Sequence, residues 1–133
     1  MPAVDGQIRI LIVEDDEFLQ KILTTKFLRE GFDTRAASDG EQALEKISEL
    51  IPDLVLLDLI LPKMTGFDVL TEIRMDSKIR QIPVIILSNL GQEEDIKRAR
   101  ELGALDFLVK ADTSVNDVVK KVKELYAKHI GEN

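Results

Sequence analysis

At 133 residues the chain has room for one domain, and 44% apolar with 32% charged residues is the balance of a packed soluble protein, which excludes a disordered chain. Eighteen basic against 25 acidic residues leave a net charge of -7, so the broad positive field that phosphate-backbone binding needs is missing and no direct nucleic-acid ligand is expected. Without cysteine there is no disulfide frame, thiolate metal site or thiol nucleophile.

The opening residues, Met1 to Gln7, lack the basic cluster and apolar run of a signal peptide, and no stretch approaches membrane-spanning length. They predict a cytoplasmic protein with no membrane partner. The domain is expected over 8–129, with tails at 1–7 and 130–133.

Strands are predicted at Ile8 to Val13, Phe32 to Ala36, Leu54 to Leu57, Val84 to Leu87 and Leu105 to Val109. All but the second are nearly continuous apolar runs, as strands buried on both faces should be. Phe32-Asp33-Thr34-Arg35-Ala36 is more polar and belongs at a sheet edge. Between the strands, apolar residues return every three or four positions, as in Ala43, Ile47 and Leu50 or Val115, Val118, Val122 and Leu125, which builds helix faces. Ser38 with Glu41 reads as a capping box, and Gly31 and Gly103 stand where left-handed helix terminators are wanted. Tyr126 falls on the apolar stripe of the last helix and His129 at its end. The run Lys120-Lys121-Val122-Lys123 suits either docking of an acidic partner or complementing the helix dipole. Alternating strands and helices with right-handed crossovers make an α/β fold: an open, doubly wound parallel sheet that gathers ligands at the carboxyl ends of its strands.

Those ends carry Glu14-Asp15-Asp16, Asp58, Ser88 and Lys110. If the first and third strands are neighbours, roughly 4.8 Å apart, Asp15 and Asp58 bring carboxylates together, and something cationic must offset them. A hard divalent ion fits: Mg²⁺ takes one or two carboxylates and then a phosphate oxygen. Lys110 adds a fixed positive charge and Ser88 a hydroxyl, so the four positions can stabilise a phosphoryl group in transfer to Asp58. Taken singly each residue has a structural explanation; what favours a site is their joint placement after four different strands. Asp16 is expected to cap the helix that it opens, ahead of binding metal.

Val13-Glu14-Asp15-Asp16, Asp58-Leu59-Ile60-Leu61-Pro62-Lys63-Met64-Thr65-Gly66, Ser88 and Lys110 together resemble the receiver domains of response regulators in bacterial two-component systems. The resemblance implies a flavodoxin-like sheet of order 2-1-3-4-5; the chemotaxis receiver is the standard example of that order. It implies Asp58 as phosphoacceptor, Asp15 as direct Mg²⁺ ligand, Glu14 acting on the metal through water, the Ile60 carbonyl as a further ligand, and Ser88 and Lys110 holding phosphoryl oxygens. A histidine kinase or phosphotransfer protein would be the donor and a protein the output partner. The chain would be a monomer or a weak phosphorylation-dependent dimer, and no turnover enzyme. Pro62 and Gly66 match the loop after the acceptor, where glycine would permit a strained turn.

Three positions depart from the family pattern. Ala111 stands where a proline in a cis peptide usually follows the lysine, which leaves the pose of Lys110 open. Phe107 occupies the aromatic switch position, often tyrosine, and has no hydroxyl to exchange partners. Asn89 is bulkier than the small residue usual after the switch hydroxyl. Rival readings fare worse. There is no Gly-x-x-x-x-Gly-Lys loop for a nucleotide triphosphate. A phosphatase resembling the haloacid dehalogenases would want Asp-x-Asp where this chain has Glu14. A pseudo-receiver would have no reason to keep Asp15, Asp58 and Lys110.

Overall fold

The computed structural model describes residues 6–131; the expected tail segments 1–5 and 132–133 lie outside the described residues. Five strands, β1 (Arg9–Val13), β2 (Asp33–Ala37), β3 (Leu54–Leu57), β4 (Val84–Ser88) and β5 (Asp106–Val109), alternate with five helices. The helices are α1 (Glu17–Arg29), α2 (Gly40–Leu50), α3 (Gly66–Met75), α4 (Glu93–Glu101) and α5 (Val115–Gly131). All strand pairs are parallel and the order is β2-β1-β3-β4-β5.

Side chains alternate across the pleat, so each central strand feeds two cores. Leu11, Val13, Val55, Leu57, Val84 and Ile86 pack under α2, α3 and α4 through Ala43, Ile47, Val69, Leu70, Ile73 and Ala99. Ile10, Ile12, Leu54, Leu56, Ile85 and Leu87 face α1 and α5 through Leu23, Phe27, Val118, Val119 and Val122. Phe27 and Phe32 meet edge to face, with ring centroids 5.1 Å apart, and close the turn between α1 and β2.

The polar second strand is at the edge, as its composition requires. The fifth departs from the reading as a strand buried on both faces: β5 is the other edge, and of its four residues only Leu108 is buried. Its apolar run serves a half-covered strand. The predicted Ser38–Glu41 box does not form. Asp39 is the cap of α2 and accepts from the Gln42 N–H, while the Gln42 side chain accepts from the Ser38 N–H. Asp39 wins because a carboxylate accepts more strongly than a hydroxyl at a helix N-terminus. Gly31 and Gly103 both take φ +90 just past α1 and α4, as helix terminators do. α5 continues through Ile130 to Gly131, so His129 lies inside it. Tyr126 packs part-buried against the α1–α5 core. In the basic run, Val122 is buried and Lys123 pairs with Glu30, the C-terminal cap of α1. No described helix is long and apolar enough to cross a membrane.

Candidate phosphoryl-acceptor site

The register decides which loops meet. Val13 is paired with Leu57 across β1 and β3, and the Asp58 N–H donates to the Val13 carbonyl at 3.1 Å, so Glu14, Asp15 and Asp58 leave adjacent strands side by side. On the other flank Ser88 pairs with Val109, one residue before Lys110. The five predicted residues, which follow four different strands, therefore share one rim.

Lys110 fixes the geometry. Its Nζ lies 2.6 Å from Oδ2 of Asp58 and 2.6 Å from Oε1 of Glu14. Glu14 and Asp58 are nearly sealed from solvent, at 2% and 4% exposure, whereas Asp15 is exposed. Burial pushes the Glu14 carboxyl above its ordinary range, only partly opposed by its hydrogen bonds to Lys110 and to the Asp16 N–H. For Lys110 burial acts downward, but the hydrogen bonds and charges of Asp58 and Glu14 outweigh it and hold the ammonium above the usual lysine range. The ammonium is therefore fixed at neutral pH. A direct pair between Lys110 and Glu14 carries no signal in the sequence, since the two lie far apart in the chain.

Carboxylate oxygens of Glu14, Asp15 and Asp58 lie within 4.8 Å of one another, an arrangement able to hold a metal ion. Three acids against one ammonium leave an excess of negative charge, and an all-oxygen donor set suits a hard cation.

Lys110 opens a short 3-10 turn, Lys110–Asp112, and the chain is locked there by the Thr113 hydroxyl donating to the Val109 carbonyl at 2.9 Å. No described peptide bond is cis, and with Ala111 in place of the usual proline the lysine reaches Asp58. Ser88 is fully buried, and its Oγ accepts from the Leu90 N–H at 3.4 Å. Asn89 is exposed. Phe107 is part-buried against the core under α2, α3 and α4. The Ile60 N–H donates to Oδ1 of Asp58 at 3.2 Å, while the Ile60 side chain is 54% exposed.

Gly66 is needed for a different reason from the strained turn expected of it. The positive φ of this loop falls on Lys63, at 69°, and Gly66 instead passes against the backbone of Asp58 and Leu59. A Cβ there would stand 2.3 Å from the Asp58 carbonyl oxygen and 2.6 Å from the Leu59 Cα. Thr65 and Asp68 then cap α3 reciprocally. Asp16 accepts from the Phe18 and Leu19 N–H groups and so caps α1, as predicted. Sequence reasoning missed Gln20: its amide donates to the Glu14 carbonyl at 2.7 Å, the Ala37 carbonyl at 3.1 Å and the Ser38 hydroxyl at 3.2 Å, tying the acidic loop to the loop after β2. Its only local mark is a place one turn after the Asp16 cap.

The Response regulator receiver domain family matches residues 10–123. The chain is 45% identical over 102 residues to the DNA-binding response regulator MtrA of Mycobacterium leprae, covering 77% of this chain and 44% of that protein. It is 36% identical over 117 residues to the DNA-binding dual master transcriptional regulator RpaA of Synechocystis, covering 88% of this chain and 48% of that one. The chain thus spans less than half the length of these two relatives. Among solved structures, a CheY-like response regulator receiver domain protein from Methanospirillum hungatei superposes with TM-score 0.87 at 26% identity, over 96% of this chain and 99% of that one. A Francisella response regulator receiver domain does so with TM-score 0.83 at 30% identity, over 92% and 99%. With the 2-1-3-4-5 sheet and the acid–lysine rim already in place, these matches show that the chain belongs to the response regulator receiver domains, a family of two-component signalling proteins.

Proposed function

We propose that the protein takes a phosphoryl group from a histidine kinase or phosphotransfer protein onto Asp58 and uses it to switch a protein-binding face. An Asp58 carboxylate oxygen attacks phosphorus in line, the phosphorus–nitrogen bond of the donor phosphohistidine breaks, and the departing imidazole takes up a proton. Lys110, already 2.6 Å from Asp58, and the Ser88 hydroxyl hold the phosphoryl oxygens as charge shifts onto them. Asp15, Asp58, the Ile60 carbonyl and, through water, Glu14 would hold Mg²⁺. Bound Mg²⁺ supplies charge neutralisation at the phosphoryl oxygens. Recruitment of Ser88 and Lys110 lets Phe107 repack inward and biases the face built from α4, β5 and α5. The chain is consumed and restored as a signal carrier and turns over no outside substrate.

The observation that carries this reading is the Lys110 ammonium bridging Glu14 and Asp58 beside the exposed Asp15. With a net charge of -7, DNA binding of the kind for which the longer relatives are named would reside outside the matched region. Beryllofluoride, standing in for the phosphoryl group, tests the switch by amide NMR. Perturbed amides are expected at 90–102 and 105–110; shifts confined to the loops around Asp58 would contradict it.

A further inference from the structure

α4 is clamped by a side chain of another helix at its C-terminal end. At its C-terminal end the guanidinium of Arg74, on α3, donates to the Leu102 carbonyl at 3.2 Å and the Gly103 carbonyl at 2.9 Å. The same group donates to the Arg80 carbonyl at 2.5 Å and the Ile82 carbonyl at 3.0 Å, in the stretch that leads into β4. Only a planar fork with five donors can bridge two segments in this way; an ammonium is a point donor. Among the described residues no carboxylate pairs with Arg74, so its hydrogen-bonding capacity goes to backbone. Gly103 admits the fork, since a Cβ there would meet Arg74 Nε at 2.6 Å. The same half of α4 holds Ala99, fully buried, and Arg98, whose guanidinium lies 4.1 Å above the Phe67 ring.

The other end has no such side-chain clamp among the described residues. Gln92, the residue before α4, makes no side-chain cap bond, and Glu93 and Glu94 are exposed. Upstream of it, the Leu90 N–H reaches the Ser88 hydroxyl at 3.4 Å, a long hydrogen bond. That hydroxyl is the group a phosphoryl oxygen on Asp58 would recruit.

We infer that Arg74 is the fixed pivot of α4: when Ser88 turns to a phosphorylated Asp58, the N-terminal end of the helix swings about the C-terminal end that Arg74 clamps. The inference rests on the phosphoryl-acceptor reading given above. Arg74 acts here as a positioning residue, remote from the reacting atoms. It converts a small change at Ser88 into a rotation of the helix, because one end of a rigid element is held and the other is released.

Amide NMR of the full chain with Mg²⁺ and beryllofluoride tests it, on wild type, Arg74→Lys and Arg74→Met. In wild type the shift changes at 90–96 should exceed those at 99–104 by on the order of threefold. In Arg74→Met, and in Arg74→Lys where the charge stays but the fork is lost, the changes should spread through 99–104. An even profile along α4 in wild type, or profiles in the variants that match wild type, would overturn the pivot. No perturbation around Asp58 in wild type would instead overturn the acceptor reading. Hydrogen exchange on wild type alone keeps the test independent of how the variants fold: amides 96 and 97, which lie past the unbonded first turn of α4, should exchange about tenfold faster than 99–104. Equal or reversed rates would overturn the pivot.

Discussion

The ammonium of Lys110 stands 2.6 Å from Oδ2 of Asp58 and 2.6 Å from Oε1 of Glu14, and so holds the two buried carboxylates side by side. Lys110→Met would strand two buried acids, and breaking a buried pair costs about 3 kcal/mol. The sign with pH follows from the two shifts. The raised Lys110 pKa means that its contribution is complete below the ordinary lysine value and is lost as pH rises through the folded one. The raised Glu14 pKa means that charging it opposes folding, a cost that sets in as pH rises from the usual glutamate range through its folded value. Urea unfolding of the variant should therefore show a deficit that is small in acid, where Glu14 is protonated, and full at neutral pH.

Asp15 is the exposed member of the acidic cluster and can be removed without opening the core. Asp15→Ala should lose most of the weak Mg²⁺ binding, on the order of tenfold or more in affinity. NMR titration with Mg²⁺ measures it; an affinity equal to wild type would refute the role given to Asp15.

Gly66→Ala places a methyl group 2.3 Å from the Asp58 carbonyl oxygen, where the obstacle is backbone and has to shift. The expected loss is about 2 kcal/mol or more by denaturant unfolding, with slower phosphoryl acceptance because the displaced atoms belong to Asp58.

Legibility in the sequence divides along local and distant contacts. Apolar runs marked β1, β3 and β4, and polarity marked β2 as an edge, because burial acts on each strand's own residues. β5 read as fully buried because an apolar run does not say how many neighbours will cover it. The positions of Glu14, Asp15, Asp58, Ser88 and Lys110 at one rim followed from the rule that parallel strands end together. What stayed hidden depends on partners far along the chain. Gln20 and Arg74 bind carbonyls, which every residue carries, so no pattern of side chains announces them. The pairs of Glu14 with Lys110 and Glu30 with Lys123 exist only once the sheet has closed. Asp39 replaced Ser38 as a cap because both fit the local pattern and the chain can start its helix at only one of them.

Asp33 on the edge strand accepts from Arg9 at 2.8 Å and from Arg35 at 2.9 Å, and these guanidinium groups hold its carboxyl below the usual aspartate range, against the effect of burial. A lowered pKa means that this stability is present above the unfolded value and is lost as pH falls through the folded one. Asp33→Asn should cost about 1 kcal/mol at neutral pH. The difference from wild type should shrink once pH drops below the ordinary aspartate range, as chemical denaturation at several pH values would show.

Ile60, two residues after Asp58, and Leu90, two after Ser88, are proposed to flank the path of the hydrolytic water. Neither aliphatic side chain can orient a water, so the phosphorylated form should be long-lived. An Ile60→Asn, Leu90→Glu double mutant should lose its phosphoryl group faster, by on the order of tenfold. Stability measured alongside separates chemistry from a damaged fold. Equal decay in both proteins would sink this explanation.

The most direct measurement is intact-protein mass spectrometry after mixing the chain with Mg²⁺ and acetyl phosphate, a small phosphoryl donor that needs no kinase. The account predicts a gain of one phosphoryl group that is labile, depends on Mg²⁺ and is absent in Asp58→Ala. A wild type that gains no phosphoryl group, or an Asp58→Ala protein that gains the same one, would contradict it.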